Sequence, residues 1–381
     1  MDLTLPPGGA TIAGERSAIR RVDVTLLFAA IVLSVLGLLA IYSATHQAQA
    51  ELHRETVFFV KRQGLSLVVA VGLMIVAAVI DYQWWRIYAP FVYGLTVAML
   101  VLVQTPLGTT SLGAQRWFQV SGFQLSPSYF ARLGLILLVA AYLSERKREI
   151  TFGNVLACTL MAGIPMVLVF IQPDFGTSII LAAILLAPLV IAGAKARHLA
   201  ALALVAVVAI FGAFQLNIVK DYQIQRLTSF LDPQSDALSA GYNRQQAEIA
   251  IGAGGLTGKG YLKGTQTNLS FVPAQRTDFI FTVVGEEFGF VGAMVLLGLF
   301  GLILWRAFRI ALLAKDPFGT FVAMGITAMF AIQVFINIGM NVGIMPITGI
   351  PLPFLSYGGS ALMADFIGVG MLLSIHARRF A

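Results

Sequence analysis

Six groups of charged or amide side chains interrupt an otherwise apolar chain. They are Lys61–Arg62–Gln63, Arg116–Trp117, Arg132, Gln172–Pro173–Asp174, Arg276–Thr277–Asp278 and Glu286–Glu287. Each lies inside a long hydrophobic block or at its edge, where charge is costly, so all are functional candidates by default. Asp278 is the sharpest. It opens a predicted apolar span beside Arg276, where a carboxylate can accept a proton or hold a cation. The competing reading is an acid favoured by the helix N-terminal dipole alone, by about 0.3–1 kcal/mol. Glu286 and Glu287 follow about two turns later, roughly 12 Å deeper by helical rise, and must face protein or water rather than lipid. Asp174 is equally suited to capping the span that follows it, and Arg116–Trp117 to anchoring the chain at a membrane interface.

A second stretch, Gly252 to Gly260, invites a phosphate-loop reading. The nucleotide pattern fails twice, because Ala253 stands where its first glycine belongs and Gly260 where Ser or Thr belongs. What survives is a weaker expectation: backbone N–H groups freed by glycine, beside Lys259 and Lys263, could cradle an anion such as a lipid diphosphate. A flexible turn is the alternative. Upstream, Gly241 to Ile251 reads as a short amphipathic helix, lying on the outer membrane surface or packing on the bundle. Cys158 is the only cysteine and excludes an internal disulfide. His46, His53, His198 and His376 show no ligand spacing.

The elements that must position these residues follow from composition. Only 11% of the 381 residues are charged, against about 25% in a soluble domain. With 58% hydrophobic residues in long blocks, a soluble enzyme is excluded, and the fold class is an all-α polytopic membrane protein. About ten transmembrane helices are expected, near 24–44, 58–80, 85–104, 127–143, 154–172, 175–193, 198–218, 278–306, 318–342 and 354–375. They form a single membrane domain over 1–381, with a tail at 1–22 and a large loop at 219–277 between spans seven and eight. The net charge of +7 raises nucleic acid as a partner, but on a membrane chain the placement of Lys and Arg in loops is the better question. One face collects 14 of them and the other only 4 outside the long loop. Both termini are therefore expected in the cytoplasm and the 219–277 loop outside. Arg20–Arg21 before an apolar block suggests a secretory signal, yet Val24–Tyr42 is too long for one and reads as the first span.

Taken in order, the motifs resemble one family. They are Gly113-Ala-Gln-Arg-Trp117, Ser126-Pro-Ser128, Gln172-Pro-Asp-Phe-Gly-Thr-Ser178, Gly254-Gly-Leu-Thr-Gly-Lys-Gly260, Pro273-Ala-Gln-Arg-Thr-Asp-Phe279, Gly285-Glu-Glu-Phe-Gly289, Asn337-Ile-Gly-Met-Asn341 and Gly349 to Ser360. The chain resembles the SEDS family of bacterial shape, elongation, division and sporulation proteins, closer to its RodA branch than to the division paralogue FtsW. That resemblance implies a peptidoglycan glycosyltransferase of the bacterial cytoplasmic membrane. It would polymerise lipid II into glycan strands during cell elongation, beside a class B penicillin-binding protein. It implies Asp278 as the catalytic acid, with substrate contacts expected from Arg116, Trp117, Arg132, Asp174, Lys259, Lys263, Arg276, Glu286 and Ser356. A divalent cation such as Mg2+ at the diphosphate, with Asp278 as candidate ligand, is the expected cofactor. The sequence departs from the family pattern at Tyr129, Arg132, Ala274, Arg276 and Asp365. A lipid II flippase and a non-catalytic scaffold are the rival readings. The flippase would line polar groups through the full membrane depth, whereas here most lie near one edge.

Overall fold

Apolar blocks of this length fold as helices in a bilayer because hydrocarbon offers their backbone groups no other partner. The computed structural model describes residues 22–111, 114–120, 123–146, 149–215, 230, 240–269 and 271–379. Seven helices come first: α1 (Val24–Glu51), α2 (Phe58–Val79), α3 (Tyr82–Leu102), α4 (Pro127–Ser144), α5 (Phe152–Ile171), α6 (Phe175–Ile191) and α7 (Ala196–Gln215). The short α8 (Ala240–Ala253) and α9 (Thr265–Asn268) follow, then α10 (Ile280–Leu312), α11 (Pro317–Asn341) and α12 (Gly359–Ala377). Eight of these are long and apolar enough to span a membrane; α6 and the Ala196–Val208 part of α7 are apolar but shorter. The ten apolar helices coincide with the ten expected spans, and the protein is a multi-pass, all-α membrane protein. Helix ends differ. α1 runs on to Glu51, α10 starts at Ile280 rather than 278, and α12 starts at Gly359 because 354–358 belong to the preceding loop. The tail at 1–21 and most of the segment between α7 and α8 lie outside the described residues.

The core is built around α12, which is almost wholly buried, with α4 and α11 next. α12 packs tightly on α2. A Cβ at Gly370 would fall 2.4 Å from the Met74 carbonyl oxygen, so only glycine permits this approach. Between α3 and α4 the chain forms a small antiparallel sheet in the order β1-β2-β3: β1 (Thr109–Ser111), β2 (Ala114–Val120) and β3 (Phe123–Leu125). The sequence reading did not anticipate it. α8 packs against α10 and α11 with Ala247 and Ala250 fully buried, so of its two readings the bundle-packing one holds.

α10 is not one continuous helix. Gly289 adopts φ 64° and ψ −159° inside it, a region open to glycine and closed to residues with a Cβ. A break within a membrane span frees backbone groups that must find partners. The Gly254–Gly260 segment supplies them. Phe290 and Val291 N–H donate to the carbonyls of Gly255 (2.9 Å) and Leu256 (3.1 Å), while Lys259 and Gly260 N–H donate to those of Glu286 (3.0 Å) and Glu287 (2.9 Å). Contact this close needs the glycines: a Cβ on Gly258 would lie 2.1 Å from the Glu287 carbonyl oxygen. The expected anion cradle is thereby corrected: the N–H groups of Lys259 and Gly260 are spent on the broken helix, and those of Gly254, Gly255 and Gly258 on carbonyls of residues 251–254.

Candidate active site

Asp278 sits in a chain of turns two residues before α10. The turn is held by its main chain. Thr277 and Asp278 N–H both donate to the Ala274 carbonyl, at 3.0 and 3.2 Å. The Asp278 carbonyl accepts from the amides of Asn337 (2.8 Å) and Asn341 (3.2 Å), both on α11 and both fully buried. Asn337 also donates to the Ile350 carbonyl at 2.7 Å, tying the 342–358 loop to the same point. From that loop Ser356 donates to the Thr277 carbonyl at 2.6 Å and accepts from Leu352 N–H at 2.9 Å. Tyr357 N–H donates to the Arg276 carbonyl at 2.9 Å. Gln63, buried on α2, in turn fixes the loop by donating to the Ser356 carbonyl (3.2 Å) and accepting from Gly358 N–H (3.1 Å). The backbone is thus clamped from three elements, while the half-buried carboxylate is turned toward Gly349, where a Cβ would stand 3.4 Å from Oδ2.

Two cations flank this turn on an aromatic shelf. The Arg276 guanidinium lies 4.3 Å from the Phe59 ring centroid and 5.9 Å from that of Tyr357. Arg62 lies 5.4 Å from Phe123 on β3. Stacking on rings orients a guanidinium. Burial pushes the Tyr357 phenol above its ordinary pKa, against the opposing pull of Arg62 and Arg276, so it is a neutral O–H group at physiological pH. Phe59 and Tyr357 were not among the expected site residues, and Arg62 was a candidate without an assigned substrate contact. Arg62 carried a signal, being a charge in the second span beside Gln63.

A second group adjoins the first. Asp174 caps α6, accepting from Thr177 N–H at 3.1 Å and from its hydroxyl at 2.9 Å, so its capping role is real. Arg116 on β2 lies 3.8 Å from Asp174 Oδ2 and donates to the carbonyls of Gln172 (2.6 Å) and Pro173. Trp117, its neighbour, is half-buried and pairs with Thr109 across the sheet. Arg132, only 2% exposed, donates to Gln333 at 3.1 Å and Thr177 at 2.7 Å and lies 4.5 Å from the Tyr129 ring. Tyr129 joins the two groups, being within electrostatic reach of Arg132, Asp174, Asp278 and Asp365. The loop joins them too, since Gly176 packs against Ile350 and the Thr348 carbonyl.

The remaining expected residues form a third, separate cluster. Glu286 is fully buried, and its carboxylate accepts from Lys259 Nζ (2.8 Å), Gln266 N–H (2.9 Å), Thr267 N–H (2.9 Å), Thr267 Oγ1 (2.8 Å) and Thr265 Oγ1 (3.3 Å). Its acceptor positions are filled by the chain itself. Lys259 is committed to it, and Lys263 is exposed nearby. Glu287 accepts from Ser43 and from Leu262 N–H. No group of three or more His, Cys, Asp or Glu side chains with metal-holding geometry occurs among the described residues. Mg2+ needs only one or two carboxylates when substrate phosphates complete its shell. Asp278 alone meets that lower count.

The model of the FtsW/RodA/SpoVE cell cycle protein family matches residues 24–380. Peptidoglycan glycosyltransferase MrdB of Escherichia coli (strain K12) is 39% identical over 357 residues, 94% of each chain. Among solved structures, one described as the structural coordination of polymerization and crosslinking by a peptidoglycan synthase complex matches with a TM-score of 0.80 at 30% identity. That match covers 94% of this chain and 98% of the other. The crystal structure of the Thermus thermophilus rod shape determining protein RodA matches with a TM-score of 0.69 at 28% identity, over 94% and 98% of the two chains.

Proposed function

The chain belongs to the FtsW/RodA/SpoVE family and is a peptidoglycan glycosyltransferase; from that premise we propose that it polymerises lipid II, with Asp278 as the general base. One observation carries the reading: a half-buried carboxylate on a backbone clamped from three elements, next to two ring-stacked guanidinium groups. The donor sugar already carries a diphosphate leaving group. As the acceptor hydroxyl attacks the anomeric carbon, a C–O bond forms, the bond to the diphosphate breaks, and the hydroxyl proton passes to an Asp278 carboxylate oxygen. Arg276 and Arg62 meet the charge developing on the diphosphate. Direct displacement inverts an α-linked donor to a β-linked product and needs no covalent nucleophile. A divalent cation held by Asp278, when bound, would neutralise diphosphate charge. Arg116, Arg132 and Asp174 shape the adjoining wall, where their mutual bonds suit them to positioning substrate.

The charge contrast between the two faces supports an inner-membrane protein with both termini in the cytoplasm and the site outside. The likeness to a polymerizing and crosslinking synthase complex supports a penicillin-binding protein as partner, seated on exposed apolar helix faces. The decisive experiment is purified protein with lipid II, scored for glycan strands. Asp278→Asn should lower strand synthesis 10²-fold or more while the protein stays monodisperse, because the Asn337 and Asn341 amides hold the carbonyl of residue 278, which the variant keeps. Asp316→Asn, which still caps α11 at the end remote from Asp278, is the control. Near wild-type synthesis by a folded Asp278→Asn protein would remove Asp278 from the role of base. Rescue of that variant by raised Mg2+ would instead favour metal holding over proton acceptance.

A further inference from the structure

We propose that the membrane face opposite Asp278 carries a binding site for the phosphate headgroup of an anionic lipid. The site is independent of the polymerisation chemistry. α10 carries Arg306 and Arg309 to that face, roughly 40 Å of helical rise from Asp278. There a cavity of about 80 Å³ opens between the start of α1 and the ends of α10 and α12. Its lining is Asp23, Arg306, Arg309, Ile310, His376 and Arg379.

Charge defines what the cavity takes. Three guanidinium groups share it with one carboxylate. Asp23 is consumed locally: it caps α1 through Leu26 N–H at 3.1 Å and accepts a forked pair of bonds from Arg306, with Nε at 2.8 Å from Oδ2. Arg309 therefore brings charge beyond what Asp23 balances, and Arg379 lines the same cavity. His376 is 7% exposed; its Nδ1 makes no hydrogen bond and stands 3.8 Å from Asp23 Oδ2. Arg306, Arg309 and Arg379 all lie within electrostatic reach of that ring. A buried ring nitrogen without a partner costs free energy, and an entering phosphate oxygen would accept from it.

The surroundings commit the phosphate to a lipid. Trp305, Phe308, Arg309 and Leu312 recur at helical spacing on one face of α10, and all four are exposed. Arg309 thus reaches the cavity from a face that otherwise meets acyl chains. The Trp305 ring, placed where an aromatic belt marks the headgroup level, lies 5.4 Å from Arg306 and 5.6 Å from Arg309. Basic pockets between transmembrane helices are headgroup sites on general grounds.

The test uses the full chain in detergent, exchanged against mixed phosphatidylglycerol and phosphatidylcholine, with retained lipid counted by native mass spectrometry. About 1 kcal/mol per basic residue near an anionic surface corresponds to about fivefold in affinity. Arg309→Gln should therefore retain about fivefold less phosphatidylglycerol relative to phosphatidylcholine, and Arg309→Gln/Arg379→Gln about 25-fold less. Arg197→Gln, an exposed arginine outside the cavity, should retain as much as wild type. Should the double variant lose its fold, the exposed Arg309→Gln alone decides. Unchanged retention in Arg309→Gln, or equal loss in Arg197→Gln, overturns the site. In a parallel arm, lipid-free protein is titrated with inorganic phosphate to millimolar levels. Thermal protection equal to that from phosphatidylglycerol would overturn the lipid assignment.

Discussion

Replacing Glu286 with Gln separates a supporting role from a substrate contact. In the structure five donors converge on this carboxylate, three of them within 2.9 Å of one oxygen or the other through backbone N–H and hydroxyl groups of the 265–267 turn. The amide keeps the shape but presents two N–H donors where one carboxylate oxygen accepted. At least one of the Gln266 or Thr267 donors then loses its partner, and Lys259 loses its counter-charge. Bonds to a charged acceptor contribute about 1.5–3 kcal/mol each. Leaving one member of a buried ion pair alone costs about 3–5 kcal/mol. Lys259 is partly exposed, which places the expected loss near the lower end, about 3 kcal/mol. Thermal unfolding in detergent should show a clear fall in midpoint, and Glu286→Gln/Lys259→Met should recover part of it by removing the stranded charge. In strand-synthesis assays on the surviving folded fraction, KM for lipid II should stay near wild type. A variant with an unchanged unfolding midpoint and a raised KM would refute this reasoning and return Glu286 to substrate binding.

Two other expectations follow. Gly258→Ala should abolish folding or severely reduce yield, since its Cβ would meet backbone of α10 at 2.1 Å and its φ is +79°. Gly252→Ala, with nothing within 4 Å of its Cβ, should behave as wild type; solubilised yield by fluorescence size exclusion reads the difference. Thr257→Cys, at an exposed position of the turn, should be labelled by an impermeant thiol reagent from outside intact spheroplasts. Cys158 is fully buried and makes a silent background; labelling only after permeabilisation would reverse the orientation.

What was legible in the sequence follows from how many residues vote on each feature. Each span is signalled by about twenty apolar side chains, so all ten were placed, with errors only at ends set by single caps. The capping half of the Asp174 reading was legible because capping is local, needing only Asp174 and Thr177. The β1–β2 sheet had no such signal, since Trp117 and Phe118 are adjacent apolar residues and Arg116 to Val120 lacks the period-two alternation of a strand. The break at Gly289 and its repair by Gly254–Gly260 were hidden, because each half looks complete alone: one as an apolar helix, the other as a glycine turn. Asp278 was singled out from its position at a span edge. Arg62, Phe59 and Tyr357, around the turn that carries it, come from distant segments, and nothing in sequence spacing brings them together.

The mended break in α10 has a consequence for how the protein is made. Residues 254–260 leave the ribosome before α10, so the segment that must receive Phe290 and Val291 already exists when they emerge. Until the two meet, the first half of α10 carries open peptide groups that hydrocarbon cannot solvate. That half cannot enter the bilayer as an independent helix. Its insertion is instead a docking event, waiting on the 254–260 segment. Folding of the preceding loop is thus an earlier step in biogenesis, and a chain stalled before that step would leave Asp278 without the ground it stands on.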